Sequence, residues 1–129
     1  MKKESVAVGL LVFAVSALSQ TIPRAANERE AKLFGAVFLQ AKRLEVASTK
    51  CPQVRRRVNF LESLRKAGNQ ASESAKEMAR FSSPIFEKVA LKDYDEHSKE
   101  ANCGTKTFQS YYESIEEHFD TAFRDWSRR

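Results

Sequence analysis

From Asn27 onward, apolar residues recur at steps of three and four, and no window alternates in the two-residue step of a half-buried strand. Asn27 offers a helix cap, with Glu28 and Glu30 placed in the first turn near the positive end of the dipole. Leu33, Phe34, Val37, Phe38, Ala41 and Leu44 then form a stripe that runs to about Ala47, and Ser48-Thr49-Lys50 breaks it. Cys51-Pro52 reads as a restart, because proline fits the first helical position, where its missing N–H costs nothing. Val54, Val58, Leu61 and Leu64 line one face as far as Gly68-Asn69, a helix stop by composition. The apolar phase nevertheless continues through Ala71, Ala75 and Met78, so one long helix loosened at Gly68 stands as the alternative to separate helices at 52–67 and 70–81.

Ser83-Pro84 gives a second restart, leading into Phe86, Val89, Ala90 and Leu91. The polar run Lys92–His97 weakens the helical pattern, and Asn102-Cys103-Gly104 is a turn by composition. The last segment is the clearest. Thr105 caps it, and Phe108, Tyr111, Tyr112, Ile115, Phe119, Ala122, Phe123 and Trp126 fall at helical spacing, with Glu113, Glu116, Glu117, Asp120 and Asp125 assigned to the opposite side. The pattern predicts an all-α fold: a small four- to five-helix bundle forming a single domain over 27–129. Its core is expected to set Phe34, Val37, Phe38 and Leu44 against Val58, Leu61 and Leu64, with Phe108, Ile115, Phe119 and Phe123 closing the centre.

The N-terminus follows a different rule. Met1-Lys2-Lys3 is positive, Val6–Val15 is unbroken apolar, and Ala17-Leu18-Ser19 is small-x-small before Gln20. That order is the pattern of a secretory signal peptide. Its apolar core falls short of the ~20 residues that span a bilayer, which favours cleavage after Ser19 over anchoring. Residues 1–19 are therefore read as signal and 20–26 as a flexible leader. The implied localisation is periplasmic or secreted, with membrane contact confined to an uncleaved signal or a peripheral touch.

Export changes how Cys51 and Cys103 are read. As the two cysteines of a chain bound for an oxidising compartment they are expected to pair, closing a loop of roughly fifty residues worth about 4 kcal/mol in the chain-entropy picture. Both fall at expected helix starts, so the bridge is expected to hold two helix N-termini together with Cα atoms about 4.4–6.8 Å apart. The Cys-x-x-Cys spacing of a redox pair is absent.

Net charge is +5, unevenly spread: residues 28–80 hold twelve Lys/Arg against six Asp/Glu, and residues 81–129 hold seven against ten. The halves can complement each other, or a basic face can steer an acidic partner. The densest basic cluster is Lys50, Arg55, Arg56, Arg57, Arg65 and Lys66, a candidate binding face for an acidic protein or a polyanion. Three consecutive arginines on a helix fan over about 200°, and no aromatics interleave them, so nucleic acid is not expected as a partner.

Phe34, Phe38, Tyr111, Tyr112, Phe119 and Trp126 are candidates for an apolar ligand pocket, against the plainer reading that aromatics fill the core. His97 sits among carboxylates and His118 on the margin of the last stripe. Neither shows metal or haem-attachment spacing, and no nucleophile motif accompanies them, so no catalytic residue, metal or cofactor is assigned. The sequence points first to an exported, non-enzymatic helical interaction protein (a chaperone, an inhibitor or immunity-type partner, or an accessory of an envelope complex). A carrier of a small apolar ligand ranks second, and a metal- or haem-dependent enzyme third.

Overall fold

The computed structural model describes residues 21–129, with side chains from Asn27 onward. The expected signal over 1–19, and the cleavage after Ser19, lie outside the described residues. Four helices follow in order: α1 (Thr21–Lys50), α2 (Phe60–Gln70), α3 (Glu73–Glu100) and α4 (Lys106–Ser127). No strand occurs among the described residues. The fold is a small all-α bundle closed by one disulfide, Cys51–Cys103.

Cross-helix contacts set the directions. Glu30 on α1 binds Ser72 at the head of α3, Phe38 meets Phe86 with ring centroids 6.0 Å apart, and Arg43 pairs with Asp93. These levels rise together, so α1 and α3 run parallel. α4 returns the other way: it starts beside the bridge at Cys103 and ends with Trp126 packed 5.4 Å from Phe34. α2 also descends, from Arg57 beside Asp120 to Gln70 beside Trp126. The topology is up-down-up-down. Yet α2 has 11 residues, where α4 has 22, α3 has 28 and α1 has 30. The upper half of the second strut is the non-helical stretch from Cys51 to Asn59.

Several sequence expectations change here. α1 begins at Thr21, so Asn27 lies inside the helix instead of capping it, and residues 21–26, expected as a leader, belong to it. Pro52 opens no helix. The residues after it run beside α4, and α2 starts only at Asn59, whose side chain accepts from the Glu62 amide. Gly68 sits within α2; the break falls at extended Ala71 and at Ser72, which caps α3 by accepting from the Ala75 amide. The segments are thus two helices, not one. Ser83-Pro84 is no restart either, since Pro84 lies inside α3. An interior proline removes one N–H bond at a cost of about 3 kcal/mol. The carbonyl it frees belongs to exposed Arg80, on the solvent side, while buried Ala75, Ala79 and Ala90 carry the helix onward. Through the polar run at 92–97 the helix continues, to Glu100.

The α4 reading holds, with the Thr105 hydroxyl accepting from the Phe108 amide. Gly104 before it has φ 90°, and a Cβ there would come within 2.8 Å of the Gln53 side chain, so this turn needs glycine. Cys51 and Cys103 have Cα atoms 5.6 Å apart, within the expected range. Cys51, however, hangs from the last turn of α1, its amide donating to the Ala47 carbonyl. The bridge therefore ties the end of one helix to the start of another instead of joining two helix starts.

The core contains Phe34, Val37, Leu44, Phe60, Phe108, Tyr112, Ile115, Phe119 and Trp126, with Phe38, Val58, Leu64 and Phe123 partly buried against it. Leu61 is a correction: it is 58% exposed, because Phe60, Leu64 and Ala67 set the inward phase of α2. Phe119→Ala is expected to cost about 3–5 kcal/mol, a large part of the ~5–15 kcal/mol of a typical domain. Reducing the bridge is expected to lower the melting temperature as well. Thermal melts of wild type and variant, each with and without reductant, check both; a melting temperature moved by neither change would refute this core.

Candidate functional site

Three groups of side chains bear on function: a polar node between three helices, the basic cluster with the loop that carries it, and an apolar ridge on α3.

The node gathers both histidines. Asp93 on α3 accepts from Tyr111 on α4 at 2.5 Å, and from Arg43 Nε and Nη2 on α1 at 3.2 and 3.1 Å. Arg43 Nη1 also donates to Gln40 at 2.7 Å and lies 3.4 Å from His118 Nδ1. His97 stacks on the Tyr111 ring, centroids 4.0 Å apart, with Nδ1 2.9 Å from the Asp93 carbonyl and 3.5 Å from its carboxylate. Burial, the hydrogen bond to Asp93 and the nearby carboxylate charge together push the Tyr111 phenol above its ordinary range. A phenol held protonated in this way is a poor base or nucleophile at neutral pH. Among the described residues no set of three His, Cys, Asp or Glu is placed to hold a metal ion. The node clamps α1, α3 and α4 together. Its separate members were visible in the sequence; their meeting depends on the parallel α1–α3 register, which the misread Pro84 hid.

The basic cluster is spread over three segments. Lys50 closes α1 and sits 5.7 Å over the Tyr94 ring; Arg55, Arg56 and Arg57 lie on the loop, and Arg65 and Lys66 on α2. Two of the six already face carboxylates: Arg57 pairs with Asp120 at 3.2 Å, and Arg65 with Glu62. These partners hold both guanidinium groups above their ordinary range. The polarised charge is thus met in part inside the molecule, the basic loop lying on the acidic side of α4.

Glu116 belongs to this contact, and it corrects the sequence reading that put it on the solvent side. It is fully buried. Its Oε2 accepts the Arg57 amide at 2.7 Å and the Val58 amide at 3.0 Å, while Gln109 one level higher both accepts from the Arg55 amide and donates to the Arg55 carbonyl. Two α4 side chains thereby satisfy backbone groups that a longer α2 would have paired within itself. Buried Tyr112 and Ser48 lie beneath; desolvation, then the Glu116 charge, raises the Tyr112 phenol.

The six residues proposed as a ligand pocket pack as core. Phe34, Tyr112, Phe119 and Trp126 are buried, Phe38 and Tyr111 are partly so, and Phe34 lies against both Phe38 and Trp126. What sequence reading missed is on α3. Met78, Phe81, Ile85 and Val89 are 54%, 80%, 60% and 45% exposed, and they recur at helical spacing. Beside them runs an apolar groove of about 260 Å³ between α1 and α3, lined by Ala31, Gly35, Ala36, Leu39 and Phe86. The signal was there as a second stripe, offset from the Ala75-Ala79-Phe86-Ala90 stripe on the same helix. Starting a new helix at Pro84 cut it in two. Monomeric proteins rarely leave contiguous apolar strips in water, and those they leave mark contact sites.

No protein-family model matches the chain, and none of the curated proteins or solved structures matches it either.

Glu116→Ala is expected to cost about 1–3 kcal/mol for each loop amide left without an acceptor. Urea denaturation reads the loss, and faster tryptic cleavage at Arg55–Arg57 reports release of the loop. A second expectation concerns alkaline pH. A raised phenol keeps its proton in the folded state after the unfolded chain has lost its own, so stability is full below the unfolded pKa near 10 and falls as pH rises above it. Tyr111→Phe should remove part of that decline, measured as melting temperature against pH alongside tyrosinate absorbance.

Proposed function

We propose that this chain is an exported, non-catalytic helical interaction protein that docks another protein through the α3 ridge. The observation that carries the reading is the strip Met78-Phe81-Ile85-Val89, large apolar side chains left in water beside an apolar groove. The disulfide marks folding in an oxidising compartment, and the signal-like pattern of residues 1–19 supports delivery to the periplasm or outside the cell. No helix among the described residues is long and apolar enough to cross a membrane.

The contact surface suggested by composition, the six basic residues, recedes in this reading, since Arg57 and Arg65 are engaged within the chain. Non-catalytic action is supported by the polar node. Its carboxylate is filled by donors from Arg43 and Tyr111, and its phenol is held protonated.

The experiment places a photo-crosslinking phenylalanine analogue at position 81 of the protein expressed in cells, with the exposed position 125 on α4 as control. The expected result is a discrete protein adduct from position 81 and none from 125. Equal or absent crosslinking from the two positions overturns the reading.

A further inference from the structure

The strip on α3 has the layout of a surface that meets itself. With 3.6 residues per turn, Met78, Phe81, Ile85 and Val89 fall within a band of about 80° and span ~16 Å of helix. Ser74 and Lys92 continue the same band and end its apolar part at either side. Reversing the helix about a point between Ser83 and Pro84 exchanges the levels of Met78 and Val89 and brings Phe81 within one residue's rise of the level of Ile85. Exposed Glu77 and Lys88 lie on one flank of this band, about 60–80° from Ile85, and the same reversal very nearly exchanges them. The other flank slopes into the groove at the level of Gly35, whose small size lets Phe86 approach.

We propose that the occupant of the ridge is a second copy of this chain, with α3 lying antiparallel to α3 about a two-fold axis between Ser83 and Pro84. The proposal rests on the ridge being the docking surface. A two-fold contact presents the same patch from both subunits, which requires a patch complementary to its own reversal. Met78 then faces Val89 of the second copy. Phe81 of each copy then lies beside Ile85 of the other, on the flank away from the groove. Only the antiparallel arrangement sets one flank against the same flank, so Glu77 meets Lys88 of the second copy, and by symmetry does so twice. A parallel pairing sets the charged flank against the groove side, so Glu77 keeps only Arg80 of its own helix, 3.8 Å away, and the contact with Lys88 is lost.

Sedimentation equilibrium of the purified, oxidised protein tests this. A monomer–dimer equilibrium is expected. Phe81→Lys should raise the dimer dissociation constant about tenfold or more, the scale of a central anchor. As Phe81 is 80% exposed, the melting temperature of the monomer should stay as it is. Glu77→Lys and Lys88→Glu should each weaken the dimer by about threefold, and the double exchange should restore it. A protein that stays monomeric at every concentration overturns the second copy, and so does a dimer indifferent to Phe81→Lys and to the charge exchange. The crosslink from position 81 separates this failure from that of the reading beneath it. An adduct of twice the chain mass supports the proposal. An adduct with a different protein from a monomeric chain overturns the second copy and leaves the docking ridge standing, and no adduct at all removes both.

Discussion

The carboxylate of Glu116 does for the upper bundle what a helix ordinarily does for itself. Where α2 is missing, the loop from Cys51 to Asn59 lies along the acidic side of α4, and its backbone groups need partners that no helix of their own supplies. Glu116 accepts two of its amides from a fully buried position, and Gln109 closes a reciprocal pair above it. A buried charge is tolerated only when hydrogen bonds and an opposite charge replace its hydration. Those two amides supply the former at Oε2, while Oε1 accepts no hydrogen bond and has only the Arg57 guanidinium, 3.9 Å away, as a compensating charge. Once the loop is fixed, Val54 and Phe60 are held in the core, Cys51 is held beside Cys103, and the start of α2 is set.

The same arrangement shows which parts of this fold are written locally. α4 was legible because its own residues decide it: a threonine cap, a glycine turn before it and an unbroken aromatic stripe. The pairing of Cys51 with Cys103 was legible from the signal-like pattern of residues 1–19 and the count of two cysteines. α2 and α3 were not, because both prolines had two meanings. At Pro52 the proline favours a helix start, but the amides that follow find better acceptors on α4. At Pro84 it again favours a start, but the alanine seam against α1 outweighs one lost hydrogen bond. In each case a distant contact decides between local options of similar energy. Glu116 shows the same limit, since its spacing places it on the margin of the stripe and only the loop above it turns that margin inward.

The candidate surfaces followed suit. Residues adjacent in sequence, such as Arg55, Arg56 and Arg57, drew attention as a cluster, and the structure spends one of them on Asp120. Residues that act together, His97 with Tyr111 and Arg43 with Asp93, come from different helices and had no common signal. The α3 ridge lies between these cases. Its four members share one helix and one period, and they become visible once the helix is allowed to run through Pro84.

The position of the disulfide has a mechanical meaning. Cys51 and Cys103 sit at one pole of the bundle, and the segment between them, with α2 and α3, forms a closed covalent ring. α1 and α4 leave that ring as two arms pointing towards the opposite pole, where Phe34 meets Trp126. Tension applied to the outer ends of those arms would run down α1, through the sulfur bridge and up α4, bypassing the ring. The arms would part from their free ends one turn at a time, as a zipper opens, rather than slide past each other in shear. Extension would stop at the bridge, with the ring still closed behind it.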